Sequence, residues 1–327
     1  MPDPAETSDR FAGRIAFVLN PAAGNGAAAR RRPALDAAIA ASGLDAEVHV
    51  SQGPGDVEAL ARRLAQSADA VVAVGGDGTI HDAVNALAGT GTLFGVVPVG
   101  TGNDFAQAIG MPTRIDAAVE ALATSAVRVL DVGRVRWTDA GRPDDERRVR
   151  VFANAVGIGF DAASAAQASR SKWLGGRSAY AAAVVQTLWS WRRPGPDAEV
   201  TVGGAVVFRG PLFLVEVGNG QAVGGGFRLT PEARLDDGLL DVCVVRHARP
   251  RRVLRILPTA FTGGHVRFPE VEMHRTAGVS VRVLGGALPV HADGEAASSG
   301  ASFLEADVWP GALRVMAPRG ATGGHAI

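Results

Sequence analysis

Gly75-Gly76-Asp77-Gly78-Thr79 carries the sharpest chemical signal in this chain. It is entered directly from the apolar run Val71-Val72-Ala73-Val74 and left by a helical pattern from about Ile80 to Ala88. A glycine-rich bend between a strand and a helix N-terminus offers backbone N–H groups to an anion. Glycine also lets phosphate oxygens approach with no Cβ in the way. A carboxylate inside such a bend repels phosphate unless a cation lies between them, so Asp77 points to Mg²⁺. The Thr79 hydroxyl is suited to cap the helix and to donate to phosphate. Two more polar loops follow apolar runs. Asn20-Pro21-Ala22-Ala23-Gly24 comes after Arg14 to Leu19, and Gly100-Thr101-Gly102-Asn103-Asp104-Phe105 after Phe94 to Pro98. Ligands of open α/β sheets bind beyond the carboxyl ends of strands. Three such loops on one edge therefore read as a phosphate site. No G-x-G-x-x-G follows the first strand and no Gly-Lys-Ser/Thr is present, which argues against the dinucleotide fingerprint and the P-loop.

The elements that must position these loops alternate over the first part of the chain. Strands are expected at Arg14 to Leu19, Ala46 to Val50, Ala70 to Val74 and Phe94 to Pro98. Helices are expected from about Ala27 to Ala41 (restarting at Pro33), Gly55 to Ala65 and Ile115 to Ala123. Such alternation predicts an α/β domain over residues 13–128 with a mostly parallel sheet and helices on both faces. From about Val127 short β-type runs dominate: Val149 to Val156, Glu199 to Phe208, Leu212 to Val217, Leu239 to Val245, Val279 to Leu284 and Phe303 to Val308. They predict an antiparallel sandwich or barrel-like domain over 129–318. That domain carries a long helical stretch, about Ala162 to Trp191, and a shorter one near Arg251 to Phe261. Residues 1–12 and 319–327 read as a disordered start and a flexible tail.

Composition narrows the function classes. The chain has 327 residues with 47% apolar and 20% charged, a globular balance. Lys plus Arg equals Asp plus Glu at 33 each. There is no global positive field for nucleic acid. The single cysteine, Cys243, excludes an internal disulfide and a cysteine-rich zinc site, and reads as a small buried hydrophobe. Met1 to Arg10 lacks the apolar region of a secretory signal, and no apolar run reaches the ~18 residues of a spanning helix. The expected location is the cytoplasm, at most touching a membrane.

GGDGT at Gly75 to Thr79, GTGNDFA at Gly100 to Ala106 and the opening Asn-Pro-x-x-Gly together resemble the catalytic domain of diacylglycerol kinases and their bacterial relatives, in one superfamily with the sphingosine and ceramide kinases. GGDGT alone is shared with NAD kinases and 6-phosphofructokinases; GTGNDF separates this chain from them. The similarity runs from Arg14 to about Pro318. It implies an ATP-dependent, Mg²⁺-dependent lipid kinase with an NAD kinase-like α/β domain, a C-terminal β-sandwich, and an active site in the cleft between them. The nucleotide would be held by Asn20, Pro21, Gly24, Ser51, Gly75, Gly76, Asp77, Gly78, Thr79, Ile80, His81, Thr101, Asn103 and Asp104.

Three motifs in the second half agree with the resemblance. Gly157-Ile158-Gly159-Phe160-Asp161 matches the GxGFD element. Arg234-Leu235-Asp236-Asp237-Gly238-Leu239-Leu240 is similar to a structural Mg²⁺ loop, implying Asp237 with the carbonyls of Arg234 and Leu239 as ligands; on its own it reads as an Asp-Gly hairpin turn. His291-Ala292-Asp293-Gly294-Glu295 matches the DGE motif, implying Glu295 as proton acceptor, with Asp293 orienting it or assisting a metal. A lipid hydroxyl losing its proton to phosphoryl transfer needs such a carboxylate. Some relatives carry a Lys behind the Asn-Pro loop. Here Asn25 and Gly26 stand there, and the nearest cations, Arg30, Arg31 and Arg32, read equally as a solvated helix face or a phosphate contact. Ser51 keeps the hydroxyl of a family Thr. Trp189-Ser190-Trp191-Arg192-Arg193 has a membrane-interface composition, although a packed core helix of the second domain is the better explanation. Phe227, Phe261 and Phe268 are candidates for an acyl groove. The resemblance implies a lipid partner at the membrane surface, diacylglycerol foremost, met transiently at the inner membrane face; it also allows a homodimer. A soluble acceptor, as in NAD kinases, and a silent nucleotide-binding protein are the competing readings.

Overall fold

The computed structural model describes residues 10–143, 145–170, 184, 186–189, 191 and 193–320. Residues up to Leu130, with those from Gly311 onward, form one compact unit; Asp131–Pro310 form a second.

In the first unit the chain runs β1 (Ile15–Leu19), α1 (Ala23–Arg30), α2 (Arg32–Ser42), β2 (Ala46–Val50), α3 (Asp56–Leu64), β3 (Ala70–Gly75), α4 (Asp77–Leu87), β4 (Leu93–Pro98), α5 (Asp104–Ala108) and α6 (Ile115–Ala123). β1 lies between β2 and β3, and β3 pairs β4, all parallel, with Leu19 opposite both Val50 and Val74, and Val74 opposite Val97. Every residue of β1, β3 and β4 is buried. That explains their continuous apolar runs, since a parallel strand covered on both faces has no polar side. The shared register brings Asn20, Ser51, Gly76 and Gly100 to the same edge of the sheet. α1 and α2 split as the proline suggested, with Pro33 in the first turn of α2.

The second unit begins within β5 (Ala126–Asp139) and continues with β6 (Arg148–Phe152), β7 (Ala155–Gly159), α7 (Phe160–Arg170), β8 (Asp197–Val202), β9 (Ala205–Gly218), β10 (Leu240–Arg246), α8 (Pro250–Ile256), β11 (Val271–Thr276), β12 (Gly278–Leu284), β13 (Leu288–Ala292) and β14 (Glu295–Ala317). Short 3-10 turns occupy Leu257–Thr262 and Gly264–Arg267. Antiparallel pairing closes a circuit, β9–β8–β12–β14–β13–β7 and back to β9. The circuit surrounds a core of Val200, Leu212, Val215, Val281, Val290 and Leu304. β5 was not expected as a strand. Its charges alternate with apolar residues, placing Val135 and Trp137 in the core while Arg134 and Arg136 bond the Asp307 carboxylate.

The end of β14 returns to the first unit, where Arg314 and Val315 pair Leu93 and Phe94 in parallel. The first compact unit thus takes up the chain again at Gly311. The expected disorder is narrowed. Phe11 N–H donates to Ala123 O at 2.8 Å, Arg10 pairs Glu120 at 2.8 Å, and Arg319 Nε donates to Thr124 O at 2.9 Å. Residues 1–9 and 321–327 lie outside the described residues, as does most of the expected helix between Arg170 and Trp191.

Candidate active site

In the first unit the two glycine loops are in backbone contact. A Cβ on Gly76 would lie 3.1 Å from Gly100 Cα, and one on Gly100 would lie 2.6 Å from Gly76 Cα. Gly75 is equally constrained: its Cβ would meet Thr79 Oγ1 at 2.3 Å. Val99 N–H donates to Gly75 O at 2.8 Å, tying the loops together. The helix begins earlier than expected. Asp77, Gly78 and Thr79 form the first turn of α4, and no side chain caps it. Thr79 is therefore not the cap. It is buried, and its hydroxyl accepts Asn20 Nδ2–H at 3.1 Å. An uncapped helix start beside glycine loops presents N–H donors and a positive dipole end.

Asp77 does something its sequence context concealed. One carboxylate oxygen accepts the N–H of Asn103 and the other the N–H of Asp104, each at 2.8 Å. The carboxylate thus clamps GTGND onto GGDGT. Asn103 braces the same loop, accepting Gly100 N–H at 3.0 Å and donating to Gly100 O at 2.8 Å, with its own backbone left-handed at φ 54°. Asp104 is buried and Thr101 is exposed at the loop tip.

The first loop is shaped by Gly24, Asn25 and Gly26, three consecutive residues with positive φ. A Cβ on Gly24 would lie 2.5 Å from Val99 O. Asn20 Oδ1 accepts Ala22 N–H at 3.1 Å, just past Pro21, and Ser51 N–H donates to Leu19 O at 2.9 Å. Two of the expected nucleotide contacts are committed elsewhere through their side chains. Ile80 is packed in the core, and His81 is buried with Asn85 Nδ2 at 3.3 Å from its Nε2. Of the arginines, Arg30 Nη1 donates to Asn25 O at 3.2 Å and Arg32 pairs Asp36 at 2.6 Å, while Arg31 is exposed.

In the second unit the DGE motif forms a two-residue hairpin turn, with Asp293 at φ 51° and Gly294 at φ 84°, between Ala292 and its partner Glu295. Asp293 is buried and accepts three backbone N–H groups, from Ala153 (2.9 Å), Asn154 (2.7 Å) and Ala155 (3.1 Å). It is an anchor for the turn, not a solvent-facing group. The Glu295 side chain is exposed and bonded to none of the described residues.

Behind this turn lies a buried cluster that sequence reasoning missed. Register places Gly157 of β7 between Glu216 of β9 and His291 of β13. The missing side chain is what makes room: a Cβ on Gly157 would sit 1.8 Å from Asp161 Oδ2, 2.5 Å from Glu216 Oε2 and 2.5 Å from His291 Nε2. Asp161, Glu216 and His291 are all buried, and their donor atoms lie within 4.8 Å of one another. His291 Nδ1 accepts Gly294 N–H at 3.1 Å, so its proton sits on Nε2, directed at Asp161 Oδ2 at 2.7 Å. A metal on Nε2 would force the proton onto Nδ1, against the Gly294 N–H. The three groups meet through the His291–Asp161 hydrogen bond, while both Glu216 oxygens and Asp161 Oδ1 are buried with no hydrogen-bond partner among the described residues. Burial, with the neighbouring Asp161 charge, pushes Glu216 well above the usual carboxylate range. Burial opposes ionisation of Asp161 too, but the neighbouring Glu216 carboxyl and the His291 ring outweigh it and hold Asp161 low. For His291, burial disfavours the imidazolium while Glu216 and Asp161 favour it. We assign the neutral ring, because the Gly294 N–H occupies the second nitrogen.

Cys243, opposite Glu216 on β10, is buried as expected, and burial drives its thiol far up. Asp237 donors are committed differently from the expected Mg²⁺ loop. Its carboxylate pairs the Arg275 guanidinium and accepts Leu239 N–H at 3.1 Å, Gly238 N–H donates to Asp131 at 2.7 Å, and Arg234 Nε stands 3.8 Å from Asp236. Asp241 Oδ2 is buried without a hydrogen bond, 3.6 Å from Arg275 Nε. Burial raises Asp241 to about 6. Two carboxylates and an unsatisfied oxygen are the right donors for a hard dication. Arg275 supplies the positive charge there, so a metal held by Asp237 must displace it.

Residues 14–135 match the family model of the diacylglycerol kinase catalytic domain, and residues 154–317 that of the YegS C-terminal NAD kinase beta sandwich-like domain. A diacylglycerol kinase of Mycobacterium tuberculosis is 33% identical over 309 residues, covering 94% of this chain and 96% of that protein. The chain belongs to the diacylglycerol kinase family. As a member it is a phosphotransferase with an alcohol acceptor. A diacylglycerol kinase of Staphylococcus carnosus is 27% identical over 86% of the chain and 88% of its own length. Among solved structures, a diacylglycerol kinase from Bacillus anthracis shares the fold with TM-score 0.68 at 21% identity, covering 94% and 98%. Yeast NADH kinase complexed with NADH shares it with TM-score 0.54 at 10% identity, covering 94% and 84%.

Proposed function

We propose that this chain transfers the γ-phosphoryl group of ATP to a lipid hydroxyl, that of diacylglycerol foremost, giving phosphatidic acid at a membrane surface. The observation that carries the nucleotide half is the Asp77 clamp. It fixes two loops side by side at an uncapped helix start, where the backbone N–H donors suit a polyphosphate. Asn20, Thr79 and Asn103 fix the loop shapes, and Thr101 is free to contact the ligand. Mg²⁺, when bound with the triphosphate, neutralises charge on the transferred group.

A small apolar cavity of about 60 Å³ inside the second unit, room for a short stretch of acyl chain only, offers the acceptor half apolar surroundings. Phe160, Phe213, Phe227, Leu229, Val245 and Ile256 line it, with Asp161 and His265 as its polar members. Of the expected acyl-groove residues, Phe227 lines the cavity, the Phe261 ring lies tilted against Phe227 with centroids 4.1 Å apart, and Phe268 packs near α8 beneath Arg252. Glu295, its side chain exposed and unbonded among the described residues, takes the hydroxyl proton as the P–O bond forms. The anchoring of Asp293 and His291 holds its hairpin in one shape. Catalysis of this kind is mostly positioning and charge stabilisation.

The test is incubation with labelled ATP and Mg²⁺, with diacylglycerol vesicles and NAD as parallel acceptors. Labelled phosphatidic acid with unlabelled NAD supports the reading. Labelling of NAD alone refutes it.

A further inference from the structure

α8 and the turns after it bury one face and expose another of unusual composition. Val253 and Ile256 point inward, with Leu257 and Ala260, and line the apolar cavity. Arg251, Leu254 and Arg255, at i, i+3 and i+4, share the outward face. Leu254 is 52% exposed, and Phe261 and Val266 in the following turns are 46% and 38% exposed. A surface segment of a soluble protein more often puts such side chains inward.

The charge of the segment is one-sided. From Arg249 to Phe268 there are five arginines and no acidic residue. Arg252 is neutralised by Glu270, at 2.7 and 3.3 Å. Arg249, Arg251, Arg255 and Arg267 are exposed and paired with no acid among the described residues. Arginines flanking exposed leucine, phenylalanine and valine are complementary to an anionic bilayer. The guanidinium groups meet headgroup phosphate while the apolar side chains enter the acyl boundary.

We propose that the surface of residues 249–267, centred on Arg251, Leu254 and Arg255, docks the protein on an anionic lipid bilayer. The surface is continuous with the cavity through Phe261, whose ring lies on cavity-lining Phe227. This deepens the reading of a lipid acceptor and rests on it only for the purpose of docking, not for the docking itself.

The experiment is co-sedimentation of the full chain with phosphatidylglycerol–phosphatidylcholine vesicles and with pure phosphatidylcholine vesicles. It is run for wild type, Leu254→Ser and the double variant Arg251→Glu/Arg255→Glu. Thermal melts verify the fold, and phosphorylation of a water-soluble short-chain diacylglycerol measures catalysis apart from docking. Wild type is expected to bind anionic vesicles and to lose binding as salt rises. The double variant should partition about a hundredfold more weakly, and Leu254→Ser several-fold more weakly, with short-chain turnover unchanged in both. Equal binding by all three folded proteins overturns the proposal, as does equal wild-type binding to both vesicle types. Concentration-dependent self-association that Leu254→Ser abolishes, without vesicle binding, overturns it in favour of a second copy on this face. A wild type that docks through these residues yet phosphorylates no lipid supports docking and sinks the acceptor assignment instead.

Discussion

Replacing Asp77 by asparagine separates two roles for this carboxylate, a clamp between loops and a manager of nucleotide-bound metal. The wild-type oxygens each accept one backbone N–H at 2.8 Å, from Asn103 and Asp104. Hydrogen bonds to an ionised acceptor are worth about 1.5–3 kcal/mol each. Asparagine keeps one of them as a weaker neutral bond and turns an NH₂ group toward the other N–H, leaving a donor unsatisfied. The net loss is about 3 kcal/mol, concentrated on the GTGND loop and not on the core of the unit. At ~1.4 kcal/mol per tenfold change, the Asn103 and Asp104 amides should exchange with deuterium about a hundredfold faster in Asp77→Asn. Exchange in β3 and β4 should stay nearly as it was. ATP affinity should fall with or without Mg²⁺, because the loop itself is loosened. Unchanged protection at Asn103 and Asp104, with ATP binding impaired only in the presence of Mg²⁺, would refute the clamp.

Other outcomes follow from the second unit. With Glu216 a neutral acid, Glu216→Gln should change stability by less than about 1 kcal/mol in urea unfolding; a large loss would instead assign an imidazolium to His291. Asp293→Ala leaves three backbone N–H groups without their acceptor and should cost about 3–5 kcal/mol. Asp293→Asn keeps one acceptor and tolerates the left-handed backbone, so calorimetry should find it clearly less damaging. Asp241, raised to about 6, adds stability that is complete below the ordinary carboxylate range and is lost as pH rises through 6. Asp241→Asn should therefore gain on wild type by about 1–2 kcal/mol between pH 5 and pH 7.5, and an advantage that shrinks over that interval would contradict the sign.

The parallel strands of the first unit were legible because burial on both faces writes itself as unbroken apolar runs, and Ala46–Val50 and Ile115–Ala123 came out with the expected ends. β5 was not, because its arginines mask an alternating pattern. The start of α4 was misjudged because Gly76 and Gly78 suggest a longer bend, whereas Asp77 and Thr79 are already helical. At the site, residue types named the loops but could not name their partners. Asp77 read as a metal manager because its hydrogen bonds go to backbone amides, which leave no trace in side-chain composition. Asp161, Glu216 and His291 are far apart in the chain and meet only through the register of β7, β9 and β13. The available sign was Gly157, a glycine inside an otherwise apolar strand, which marks a close approach.

Single-turnover quench of ATP-loaded protein mixed with diacylglycerol vesicles, comparing wild type with Glu295→Gln, tests phosphoryl transfer to a lipid most directly. Wild type should give labelled phosphatidic acid, and Glu295→Gln a rate at least about a hundredfold lower at equal ATP affinity. A wild type that binds ATP and labels no lipid, or a Glu295→Gln protein that transfers as fast, would contradict it.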